Sequence, residues 1–178
     1  MTDQLKTEIP VFWQVLNLRF VDCNSPIWWN LKNEPVNIAL KGQLVLIDCQ
    51  IRQFEKKLEP KLLVGLRDGE NYFLLGMGLR TISALSLVEP LCFAPTPLLE
   101  GEITLYHEFR LGTTNVFVQF AIECQGKFLN IPLSSVIVWR QFCFHRLAQL
   151  QKKLNYPSIE LSVLKQLEAE ISNSDEEF

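Results

Sequence analysis

The sequence predicts an α+β fold: an antiparallel sheet of six to nine strands, closed into a β-barrel or folded into a β-sandwich, followed by a C-terminal pair of amphipathic helices. Three observations lead there. Between Val36 and Ile131, apolar and polar residues alternate with a period of two, the pattern of strands with one buried and one wet face. Turn signals punctuate that alternation, Asp68-Gly69 most clearly. From Ser134 onward the apolar period changes to three and four, the stripe of an amphipathic helix.

Val11 to Asp22 reads as a first strand. Its apolar parity shifts from Trp13 and Val15 to Leu16, Leu18 and Phe20, which predicts a bulge or bend at Val15-Leu16. Asn24-Ser25-Pro26 breaks the run, and the segment that follows reads as a loop carrying Trp28 and Trp29. Val36, Ile38 and Leu40 start the next strand, and a long one follows in which Val45, Ile47, Cys49 and Ile51 oppose Asp48, Gln50 and Arg52. Residues 55–61, mostly charged, read as a connection. Leu62–Arg67 and Asn71–Leu75 are then two strands joined at Asp68-Gly69.

Gly76 to Ser83 reads as a glycine-rich bend that turns the sheet through a corner. Pro90, Pro95 and Pro97 mark Glu89 to Pro97 as a rigid crossover, neither helix nor central strand. Beyond it, Ile103–Arg110 and Val116–Cys124 alternate again, and Gln125-Gly126 turns the chain. The series of strands and glycine turns is similar on both sides of the crossover, which suggests a duplicated three-strand unit.

In the helical region Val136, Trp139, Cys143, Leu147, Leu150 and Leu154 form one stripe, with Ser134 or Ser135 as N-cap and Asn155-Tyr156-Pro157 as the stop. Ser158 opens a second helix with Leu161, Leu164, Leu167 and Ile171 on its apolar side. The expected organisation is a single domain over 1–178, with a β-rich body at 9–133, a helical hairpin at 134–171 and an acidic frayed tail at 172–178.

With 178 residues, 48% of them hydrophobic, the chain can bury a sizeable core. Its net charge of −3, taken whole, argues against nonspecific attraction to nucleic acid or anionic lipid, but the acidity is local. Six acids and one base fall between Ser158 and Phe178, leaving the rest slightly basic. Five cysteines without a Cys-x-x-Cys spacing read as reduced thiols. A polar N-terminus and no apolar run near the ~18 residues of a membrane span point to a cytoplasmic protein with no membrane association.

No constellation with catalytic or metal-binding spacing is visible. His107 and Glu108 fall on opposite strand faces, and Cys143 and His145 stand two apart on a helix, so no catalytic residue, metal or cofactor is assigned. Gly76 to Ser83 lacks the third glycine of a dinucleotide fingerprint and the lysine of a P-loop. Trp28 and Trp29 are the candidate partner-binding residues. The candidate nucleic-acid contacts are Arg52, Lys56, Lys57, Lys61, Arg67 and Arg80, with Arg140 and Arg146 on the helix, and Tyr72 or Phe73 for stacking. For the helical bases Arg140, Arg146, Lys152 and Lys153 the favoured reading is pairing with Glu160, Glu168 and Glu170 of the second helix, in an electrostatically matched hairpin.

The functional expectation is a non-enzymatic interaction module, an accessory or adaptor subunit of a larger intracellular assembly with a protein partner. The alternative is a single-stranded nucleic-acid-binding or ribonucleoprotein accessory subunit, distinguished by whether the bases share one sheet face. A second alternative is a β-barrel carrier of a small apolar ligand.

Overall fold

Nine strands form one hydrogen-bonded sheet in the computed structural model, which describes residues 12–156 and Ala169. The strands are β1 (Trp13–Leu18), β2 (Trp28–Trp29), β3 (Pro35–Val36), β4 (Leu40–Phe54), β5 (Lys57–Asp68), β6 (Asn71–Gly78), β7 (Glu102–Leu111), β8 (Val116–Cys124) and β9 (Lys127–Phe128). Three helices accompany them: α1 (Ile82–Phe93), α2 (Thr96–Leu99) and α3 (Val136–Lys153). The sheet order is β3-β2-β1-β6-β5-β4-β7-β8-β9, antiparallel except where β1 lies parallel to β6.

Two three-strand meanders, β4-β5-β6 and β7-β8-β9, meet antiparallel at β4 and β7. Tight turns set their registers. Gly69, at φ +61°, and Glu70 form the loop between the paired Asp68 and Asn71, one residue beyond the Asp-Gly expected from sequence. The segment expected as a charged connection is instead the tip of a long hairpin. Phe54 pairs with Lys57 across Glu55-Lys56, and Glu55 takes a positive φ of 54°. Pro60 therefore sits inside β5. Its carbonyl accepts the Leu79 N–H at 2.9 Å, so its nitrogen faces the same side, where β6 has already ended and no donor is needed.

The bulge expected at Val15-Leu16 does not occur. Trp13 to Asn17 pair with Tyr72 to Gly76 in unbroken register, and the parity change arises because β1 carries apolar residues on both faces.

The sheet is a single one, so no sandwich forms, and it is not closed into a barrel. It is nevertheless strongly curled. Trp28 on β2 stacks on Phe120 of β8, with centroids 5.9 Å apart and planes at 20°. In a flat sheet those strands would lie about 29 Å apart at ~4.8 Å per neighbour. Strand pairing does not complete the seam; α1 packs along the free edge of β8 instead. Its Ser83 hydroxyl donates to Val118 O at 2.7 Å, and its Ser86 hydroxyl accepts the Phe120 N–H at 2.9 Å. These β8 groups point to the side on which the two-residue β9 has run out, so two serines stand in for a missing strand.

Helix α1 overturns the reading of residues 89–97 as a crossover without helix. Every residue from Ser83 to Leu91 is buried, Glu89 included. Thr81 caps its start by accepting the Ala84 N–H at 3.3 Å, and Pro90 falls in the last turn, where only the bond to Ser86 O is lost. The Glu89 carboxylate accepts from the Ser134 N–H at 2.9 Å and from the Ser134 hydroxyl, so Ser134 serves α1 while Ser135 caps α3.

Helix α3 packs on α1 and β4. Its Trp139, Cys143, Leu147 and Leu150 are buried as the stripe predicts. Trp139 Nε1 donates to Leu79 O at 2.7 Å, and Gln151 Nε2 to Ile47 O at 2.9 Å. Lys153 Nζ donates to Leu91 O and Cys92 O at 2.9 Å each and also to Ala94 O, closing the negative end of α1. Lys153→Met is expected to lower stability by about 1–2 kcal/mol in urea denaturation, because carbonyls at that end lose a charged donor. The second C-terminal helix, the acidic tail and the pairing with Glu160, Glu168 and Glu170 lie outside the described residues.

Candidate functional site

Cross-strand partners share a face, so the registers place the expected site residues directly. Arg52 pairs with Glu59, Lys61 with Gly78, Leu63 with Gly76, and Asn17 with both Gly76 and Trp29. Arg52, Lys57, Glu59, Lys61, Asn17 and Trp29 therefore all occupy the convex face, opposite the core. Gly76 and Gly78 leave a trough between them. A Cβ built on Gly76 would collide with Lys61 Cε and lie 2.8 Å from its Nζ, so the lysine lies across bare backbone. Its Nζ donates to Asn17 Oδ1.

Two hollows meet along this trough. One, of about 480 Å³, is lined by Asn17, Arg19, Trp29, Asn30, Arg52 and Lys61 among others. The other, of about 400 Å³, is lined by Lys57, Leu58, Arg80, Thr81 and Arg140. Glu59, Pro60 and Gly78 belong to both, which makes them one groove with, among the described residues, six cations and a single carboxylate on its walls. Arg140 Nε donates to Arg80 O at 3.3 Å, joining α3 to the groove, and the positive end of α1 begins just past Thr81.

Crowded like charge and lost hydration act on Lys61. Burial, and secondarily the neighbouring Arg52, pull its amine down from 10.5 to about 8. The sign follows from linkage. Between about pH 8 and 10.5 the unfolded chain holds the Lys61 proton and the folded one does not, so this group's contribution to stability rises with pH. A bound anion that needs the ammonium form has the opposite dependence. Its affinity is expected to be highest below about pH 8 and to decline above it, readable from dissociation constants across that range.

Arg19 lies 4.8 Å above the Trp29 ring, and Trp29 Nε1 is buried with no acceptor among the described residues. Its neighbour Trp28 is a core residue, 3% exposed. The two adjacent rings point to opposite faces because strand β2 alternates, and only Trp29 reaches the groove.

The eight bases singled out from sequence divide. Arg52, Lys57, Lys61, Arg80 and Arg140 meet in the groove. Lys56 is exposed in the β4–β5 turn. Arg67 shares the convex face but sits at the far end, donating to Gly69 O at 3.1 Å beside Tyr72. Arg146 stands over the Phe93 ring at 5.1 Å, near the other end of α1. Phe73 is buried and offers no stacking surface. Arg19 and Asn17 were not anticipated; the parallel β1–β6 pairing sets Asn17 opposite Gly76 beside Lys61, and Arg19 follows just beyond the end of β1.

Elsewhere, Glu108 pairs with Arg110 at 2.8 Å, and His107 faces Phe109 edge-on, its pKa lowered by burial. Burial also raises the Cys49 thiol to about 12 and the Cys92 thiol to about 11, so both stay protonated near neutrality. Among the described residues no three His, Cys, Asp or Glu side chains are grouped to hold a metal, and no helix is long and apolar enough to cross a membrane. No protein-family model matches the chain, no curated protein matches its sequence, and no solved structure matches its fold.

Proposed function

We propose that the protein is a non-enzymatic accessory module whose working surface is the convex groove, and that its ligand is single-stranded nucleic acid within a larger assembly. The observation that carries this reading is the convergence of Arg19, Arg52, Lys57, Lys61, Arg80 and Arg140 along one continuous trough that also holds Trp29. Cations that follow a trough hold a phosphate backbone, and an aromatic or guanidinium plate beside them accepts unstacked bases. A slightly acidic whole chain with a locally basic groove favours one bound strand over indiscriminate coating by polyanions.

The adaptor reading loses one of its two anchors, since Trp28 supports the core. The carrier reading loses its container, since the sheet is not closed into a barrel.

Filter binding of a labelled oligonucleotide at about 50 and about 200 mM salt tests the proposal. With six phosphates neutralised, the affinity is expected to fall on the order of 10²-fold across that range. Binding that ignores salt, or none at the lower salt, removes it.

A further inference from the structure

We infer that the hollow formed by Asn17, Arg19, Trp29, Arg52 and Lys61 is a seat for a phosphomonoester, carried by a nucleoside monophosphate or by the phosphorylated end of a strand. This specifies one part of the groove and rests on the nucleic-acid reading above. Charge is the first argument. Three cations and Glu59 line this hollow, a net charge of +2 when all are ionised. A phosphomonoester near neutrality carries about −1.5 to −2, whereas each phosphodiester inside a strand carries only one negative charge.

Donor geometry is the second. The Lys61 ammonium has three N–H donors and places one on Asn17, leaving two directed elsewhere. Arg19 and Arg52 add guanidinium N–H donors on the walls of the same hollow. A monoester offers three peripheral oxygens; a diester offers two. Space is the third argument. The missing side chain at Gly76 makes room for Lys61 to lie over the sheet, and the hollow's volume of about 480 Å³ leaves room for a nucleoside beside the phosphate. The Arg19 guanidinium stacked on Trp29 provides a flat surface at its rim. The lowered Lys61 pKa is consistent with this arrangement, because a dianion would restore the amine's proton.

The experiment is equilibrium binding by the full chain of three probes: a short strand with a 5′-phosphate, the same strand with a 5′-hydroxyl, and adenosine monophosphate. The phosphorylated strand is expected to bind about tenfold tighter than its hydroxyl counterpart, the effect of a few charge-assisted hydrogen bonds. Lys61→Met and Arg52→Met should each erase most of that difference, read as the ratio of the two strands' dissociation constants. Adenosine monophosphate that competes with the phosphorylated strand assigns the seat to a free nucleotide as well; a phosphorylated-strand preference without such competition assigns it to strand ends. Equal affinity for the two strands, together with no binding of the monophosphate, overturns the seat and leaves the groove reading standing. Failure of all three probes overturns both.

Discussion

Replacing Trp28 with Ala is expected to cost about 3–5 kcal/mol in urea denaturation, the range for truncating a fully packed aromatic. The ring is 3% exposed and stacks on Phe120, and that stack is a side-chain contact between flanks of the sheet that no strand ladder joins. Phe20 against Phe109, 5.6 Å apart, is a second such contact and is more exposed. The loss should therefore fall toward the upper end of that range and lower the melting temperature on the order of 10 °C for a chain of this size. Trp29→Ala, one position along, is expected to cost less than about 1 kcal/mol, because its ring lies on the convex face under a single guanidinium. Similar losses for both variants would mean that the Trp28 stack does not hold the seam.

The combined change Arg52→Glu and Lys61→Glu is expected to weaken oligonucleotide binding on the order of 10²- to 10³-fold at low salt. It leaves four cations facing three carboxylates in the groove. It should also flatten the salt dependence by about 1.4 in slope, two phosphate contacts' worth for a single strand. Folding should survive, because both side chains stand on the convex face, outside the core. Arg146→Glu and Lys56→Glu are the controls. They change net charge in the same direction from positions outside the groove and should alter affinity less than about threefold. Equal weakening by the control pair would show that overall charge acts, and the groove would lose its assignment.

Much of the β architecture is legible in the chain because strands with one wet face must alternate. Leu62, Val64 and Leu66 against Lys61 and Arg67 can be read by eye, as can Val118, Phe120 and Ile122 against Gln119 and Glu123. The stripe of α3 is equally plain, since one side packs on α1 while the other meets water. Helix α1 is not legible for the converse reason. Enclosed between sheet and α3, it has no wet side, so Ile82 to Phe93 shows no period, and Pro90 near its end mimics a loop. Residues 55–61 misled in a related way. Lys57, Glu59 and Lys61 alternate with Leu58 and Pro60 as a strand should, but the proline and the density of charge imitate a connection.

The candidate site was half readable. Its bases could be named, but whether they meet depends on long-range pairing that carries no local signature. Arg52 and Lys61 come together through the β4–β5 hairpin, Asn17 through a parallel pairing with β6, and Arg140 through the docking of α3. Period and turn chemistry alone determined that this chain builds a one-sided sheet followed by an amphipathic helix, because each residue's own neighbours dictate both. Only the tertiary structure decided that a buried helix replaces the closing strands and that six scattered cations share one groove, because those outcomes depend on which distant surfaces exclude water together.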